Sequence, residues 1–200
     1  MFTFVGTHVI FSTMKTLSAF FHRRASWWAL AIAFLVYMLF NTVVLPKAEQ
    51  HIDQLAGQKV GIIDLGMDFD LDKIREQVAA YGPEGRTLYR RTEVTMDIVY
   101  PVAYAIFFTL LLSLLMRGLP LSPGLQRANI LPFAMEGFDL LENIFLVLLL
   151  TAYPEQNGTF VLFLAVFRTL KWVVFLGIAG LILFLIGKRL FGRRAVAKAA

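Results

Sequence analysis

The stretch "EGFDLLEN", residues 136–143, puts Glu136, Asp139, Glu142 and Asn143 within about two helical turns of one another. Further along, "FRTLKW" supplies Arg168 and Lys171, again three residues apart. A third set, Asp97, Tyr100 and Tyr104 in "DIVYPVAY", has the i, i+3, i+7 spacing of one helix face. Three kinds of chemistry are open to such residues. Opposed carboxylates and cations can lock helices together, a spare buried carboxyl can carry a proton, and two carboxyls can act as general acid and base. Metal, cofactor and thiol chemistry are not expected. The chain has no cysteine, and His8, His22 and His51 are scattered without a second ligand at helical spacing.

These polar residues are set in a very apolar sequence. Of 200 residues, 58% are hydrophobic and 16% charged, where an ordinary soluble domain has about a quarter charged. The surplus lies in four blocks close to the roughly 20 residues that cross a bilayer: 26–45, 97–116, 129–151 and 159–187. The expected fold is an all-α integral membrane protein, a four-helix transmembrane bundle. No clustered basic face on a soluble part suggests nucleic-acid binding.

The last two blocks can span only if their charges are neutralised inside the protein. A lone Asp, Lys or Arg at the centre of a span costs about 2.5–3.5 kcal/mol. The connection at 152–158 is short, so the two helices should be antiparallel neighbours. Folding the register about Glu155 sets Glu142 level with Arg168 and Asp139 level with Lys171. At 1.5 Å per residue both pairs fall about 13–20 Å from the loop end, near mid-bilayer. Two cations against three acids leave Glu136 over, with Asn143 beside Asp139 on the same flank. On the second span Pro101 has no N–H, which frees a backbone carbonyl one turn earlier, near Asp97.

Lys and Arg set the expected orientation. Basic residues flank the start of the first span (Lys15, Arg23, Arg24), the second connection (Arg117, Arg127) and the tail (Lys188, Arg189, Arg193, Arg194, Lys198), while "AYPEQN" has none. Both termini are therefore expected in the cytoplasm. Residues 1–25 and the tail 188–200 then lie inside with the loop 117–128, and residues 46–96 and 152–158 lie outside. Met14, opening "MKTLSAFFHRR", reads as the natural start. In the outer segment "VGIIDL" (60–65) suits a short strand or an interfacial stretch. "DLDKIREQVAAYG" reads as an amphipathic helix capped by Asp70 and stopped at Gly82. Pro83 should open a further helix running straight into the second span. "DFDLD" (Asp68, Asp70, Asp72) has the opening spacing of a calcium loop, but Lys73 and Ala79 stand where Gly and Glu are needed. "NGT" at Asn157 matches a glycosylation sequon and carries little weight.

"GPEGRTLY", "DIVYPVAY", "FDLLEN" and "RTLKW" together resemble a loose pattern of small four-span bacterial membrane proteins. The resemblance covers about residues 62–180, is carried by Asp97, Pro101, Asp139, Glu142, Asn143 and Lys171, and implies no activity. It implies the bacterial inner membrane as the location. The reading that follows is a structural or binding protein of the bilayer, with the balance against an enzyme. A small proton-coupled carrier using Glu136 and Asp97, or a lipid-modifying enzyme with carboxyls as acid and base, are the alternatives. The bilayer itself is the expected partner, with a lipid or small apolar molecule as ligand. "GIAG", Gly177 and Gly180, is too weak a packing motif to predict an oligomer.

Overall fold

The computed structural model describes the backbone of residues 3–63, 66, 70–155 and 157–199, and within that set the side chains from 12 to 191. Met1 and Phe2, Asp68 of the "DFDLD" stretch, and Asp64 and Leu65 of "VGIIDL" lie outside the described residues, as do the side chains of His8, Arg193, Arg194 and Lys198. The described chain is all helix and connection: α1 Thr3–Arg24, α2 Trp27–Leu39, a π-turn Phe40–Val44, α3 Leu45–Ala56, α4 Leu71–Ala80, α5 Gly82–Glu93, α6 Met96–Met116, α7 Pro123–Arg127, a 3₁₀ turn Ala128–Ile130, α8 Leu131–Thr151 and α9 Gly158–Ala199.

Among the described residues, three helical stretches are long and apolar enough to cross a membrane: Trp27–Ala56, Gly82–Met116 and Gly158–Phe191. Their surfaces suit lipid rather than water. α2 buries none of its residues, and Trp28, Leu35, Leu176 and Leu183 are two-thirds or more exposed. Apolar surface on this scale marks a membrane-facing protein, and the chain is a multi-pass helical membrane protein. α8, a further long helix of 21 residues, holds Glu136, Asp139 and Glu142.

Packing explains where the polar residues can sit. α9 lies along α8, α6 packs on α8, and α2 packs on α6. One apolar core, built on Leu146, Leu149 and Leu164, joins α8 and α9 to a cap made of α3, α4 and α5. A second, around Leu112, Met116, Ile178 and Leu185, closes the other end. The ionisable side chains form a layer between the two.

The segment between the first two long apolar stretches is a folded cap. Asp70 caps α4 by accepting from the Asp72 N–H at 2.9 Å, and Gly82 (φ +66°) takes the left-handed turn that starts α5. Tyr81 donates to Gly61 O (2.9 Å), and Tyr89 accepts from the Ile63 N–H (2.9 Å), so two buried tyrosines tie 60–63 down. No strand forms among the described residues of "VGIIDL". Arg86 stacks on Tyr153, 3.8 Å from the ring centre, fixing the α8–α9 connection to α5.

Three features depart from the expected layout. The first spanning helix does not stop at 45 but runs on to Ala56. Pro46, which cannot donate within a regular turn, is accommodated by the preceding π-turn, in which the Leu45 N–H bonds to Phe40 O. α5 does not run unbroken into α6. Thr95 Oγ1 donates to Arg91 O (2.6 Å), and Val94 and Thr95 leave the helix before Met96 resumes it. Finally, the N-terminal segment is no loose tail. α1 docks on α6 and the 3₁₀ turn through buried polar groups: Ser18 Oγ donates to Asn129 Oδ1 (2.7 Å), and Asn129 Nδ2 donates to Ser18 O (3.3 Å) and Ser113 Oγ (2.9 Å). Replacing Asn129 with Ala removes three hydrogen bonds and leaves the buried Ser18 hydroxyl without its acceptor. The expected loss is about 1–3 kcal/mol, read as a lower denaturation midpoint in detergent, with faster proteolytic release of α1.

Candidate functional site

Helix geometry alone brings the charges together. In α8 the acids recur every three residues, and Asp139 and Glu142 face α9, whose two cations recur with the same step in the opposite direction. Arg168 Nε donates to Glu142 Oε1 at 2.9 Å. Lys171 Nζ donates to Asp139 Oδ1 at 2.8 Å and also lies 2.6 Å from Glu142 Oε2. Both pairings expected from the hairpin register are present, and Lys171 adds a third contact by bridging the two acids. Arg168 and Glu142 are essentially inaccessible, with side-chain exposures of 1% and 0%. Arg168 also donates from Nη1 to Gly66 O (2.7 Å), so the cap supplies an acceptor to a cation inside the bundle.

α6 completes the layer. Tyr104 donates its hydroxyl proton to Asp139 Oδ2 at 2.8 Å, so each oxygen of that carboxylate has a donor. Asn143 Nδ2 donates to both Asp97 O (3.0 Å) and Asp97 Oδ2 (2.8 Å). The first of these has a plain origin. Asp97 O is the carbonyl that would have bonded to an N–H at position 101, where Pro101 has none. Asn143 therefore caps a carbonyl that the proline leaves bare. Tyr100 donates to Asn41 Oδ1 (3.2 Å) beside the π-turn, and stacks with Tyr37.

Five of the nine residues singled out from sequence, Asp139, Glu142, Arg168, Lys171 and Tyr104, are joined by these bonds into one ion-pair and hydrogen-bond layer around Asp139, and Tyr100 packs edge-on against Tyr104. Asp97 and Asn143 form a second, linked pair between α6 and α8. Glu136 stands apart: half-buried, it makes no ion pair among the described residues.

A cavity of about 210 Å³ opens against this layer. Asp97, Tyr100, Tyr104, Asp139, Lys171 and Trp172 form its polar and aromatic wall, while Leu45, Ile52, Ile62 and Met135 are apolar. The Trp172 indole N–H is buried without a hydrogen-bond partner among the described residues. Tyr89, the last residue of the "GPEGRTLY" stretch, also lines the cavity, as do Asn41, Glu49 and Glu93, which did not stand out in the sequence. They come from α5 and the end of the first spanning helix, and only the folding of the cap brings them near Asp139. Among the described residues no group of His, Asp or Glu is arranged to hold a metal ion.

No protein-family model matches the chain, and no curated protein or solved structure matches it. The motif-level likeness to small four-span bacterial proteins therefore gains no support beyond the residues themselves; the helical, multi-pass character stands on the structure.

Lys171→Met removes the cation shared by two buried carboxylates. It should cost about 3–5 kcal/mol, measured as resistance to denaturation in mixed micelles. Adding Asp139→Asn should restore a large part of that loss, since Glu142 keeps Arg168 and the amide no longer needs a counter-charge. Asn143→Leu should cost about 1–3 kcal/mol by uncovering the Asp97 carbonyl, with both ion pairs unaffected.

Proposed function

We propose that this chain is a four-span protein of the bacterial inner membrane, with both termini in the cytoplasm. On this reading it binds a small amphiphilic molecule in the cavity beside Asp139. Spans at 26–45, 97–116, 129–151 and 159–187 are supported by the neutralisation of every acid of α8 except Glu136, which removes the main objection to α8 crossing lipid. The orientation is supported by the basic flanks at Lys15–Arg24, Arg117–Arg127 and Lys188–Arg189, against none in 152–157.

One observation carries the binding reading. Lys171 and Asp139 belong at once to the lock between α8 and α9 and to the wall of the cavity. A lock alone has no need of a void beside it. The aromatic and apolar lining, with few convergent polar groups, is the composition of small-molecule sites. The size admits a headgroup-sized or short-chain molecule and not a whole lipid.

Two measurements test this reading. The chain has no native cysteine, so single cysteines report topology without background. Glu155→Cys should react with an impermeant maleimide from outside intact cells, and Lys188→Cys only after the inner membrane is opened; the reverse pattern would overturn the orientation. For the cavity, Ala48→Trp places an indole in its wall. It should abolish binding of an environment-sensitive apolar amine probe to the purified protein while leaving the denaturation midpoint within about 1 kcal/mol of wild type. Equal probe binding by both proteins would remove the cavity as a site.

A further inference from the structure

The charges of this chain are segregated along the bundle. No acidic residue occurs in 1–48, 98–135 or 156–200, so every Asp and Glu falls in the outer segment, at Asp97, in α8 or at Glu155. The opposite end holds Lys15, Arg23, Arg24, Arg117, Arg127, Lys188 and Arg189 with no acid nearby in sequence. Some of these cations have structural work. Arg189 donates to Leu114 O, Leu115 O and Arg117 O, covering the last carbonyls of α6, and Arg117 donates to Ala25 O (2.6 Å). Lys188 donates to Pro120 O.

Lys15 and Arg127 are not used in this way. Both line a groove of about 380 Å³ between α1 and α7, lined also by Ser18, His22 and Gln126. Lys15, Ser18 and His22 follow i, i+3, i+7 and so share one face of α1. Lys15 makes no ion pair among the described residues. Arg127 spends its Nε on Pro123 O (3.0 Å), which leaves both Nη groups for a ligand. His22 Nε2 donates to Gln126 O (3.0 Å), tying α1 to α7 across the floor. The groove is also fixed in place, because Ser18, on its α1 side, is bonded to the buried Asn129. An anion arriving there meets two cations on walls that are already ordered.

We propose that this groove binds the phosphate of an anionic phospholipid from the surrounding leaflet. Charge complementarity selects an anion, and an Arg–Lys pair fits a phosphodiester. The setting selects a lipid over a free ion. Met14 and Phe20 are exposed on α1, the helix that forms one wall, and Trp27 and Trp28 stand 71% and 83% exposed at the start of α2, just after that helix ends. Acyl chains leaving the groove would therefore find apolar surface and an interfacial aromatic pair. The inference rests on the chain being membrane-embedded and is independent of the cavity beside Asp139, whose probe binding can be followed in the same samples.

The test uses the full chain purified in a zwitterionic detergent. Thermal stability and native mass spectrometry are read after adding phosphatidylglycerol, phosphatidylcholine or inorganic phosphate at matched ionic strength. Phosphatidylglycerol should raise the melting temperature and stay bound, and the other two should do neither. Lys15→Gln with Arg127→Gln should weaken phosphatidylglycerol binding roughly tenfold or more, with an unchanged melting temperature in phosphatidylcholine. Arg23→Gln with Arg24→Gln removes the same net charge outside the groove and should keep the preference. Lys15→Glu, altering only an exposed unpaired side chain, should lose it as well. Equal responses to the two lipids, an equal effect of inorganic phosphate, or equal losses in the two double variants would each overturn the groove as a lipid site, the last by showing diffuse attraction only.

Discussion

The ammonium of Lys171, held between Asp139 and Glu142, is the interaction on which the rest of the bundle depends. Charges cannot remain alone in an apolar interior, so the position of this cation fixes how far α9 may slide along α8. Arg168 repeats the constraint one turn away. Once the two helices are in register, Asp139 has one oxygen left, and the Tyr104 hydroxyl takes it, drawing in α6. Asn143 then falls opposite the carbonyl that Pro101 leaves bare. The polar layer is a sequence of obligations, each met by the next helix. The apolar cores on either side keep water from meeting them instead.

Much of this layer was legible in the residue order because it is local geometry folded once. A short connection and a helical rise are enough to set Glu142 against Arg168 and Asp139 against Lys171. The bare carbonyl near Asp97 could be anticipated from Pro101, but its partner could not, since the angle between α6 and α8 is not written in either helix. Other parts had no periodic signal at all. The bond from Arg168 to Gly66 joins a span to a loop, and the Ser18–Asn129 contact joins two polar residues far apart in sequence. Neither residue type is unusual on its own. The extension of the first spanning helix to Ala56 was masked by Pro46, which reads as a stop and is absorbed by a π-turn. The break at Thr95 has the opposite cause: its hydroxyl back-bonds to Arg91 in a stretch whose composition reads as continuous helix. Glu136, the acid left over by two cations against three, makes no ion pair among the described residues, while Asn143 finds its partner on α6 at Asp97.

The two ends of the molecule solve different problems with the same residue types. At the capped end arginines are consumed by the fold: Arg86 on Tyr153, Arg168 on Glu142 and Gly66. At the other end Arg117 and Arg189 cover helix-terminal carbonyls, while Lys15 makes no ion pair among the described residues and Arg127 commits only its Nε, to Pro123 O. Counting basic residues would not separate these roles. Their hydrogen-bond partners do.

The order of the pairs along the chain has a consequence for biogenesis. The acids of α8 precede their cations, Glu142 by 26 residues and Asp139 by 32. On the four-span reading, α8 emerges from the ribosome as a helix that lipid would reject. It becomes acceptable only when the first third of α9, as far as Lys171, has been made. The two helices must therefore leave the insertion machinery as a hairpin, with α8 held back until its counter-ions arrive. Truncation within α9 would then strand a helix already synthesised, and the ion pairs act as a checkpoint on completion of the chain.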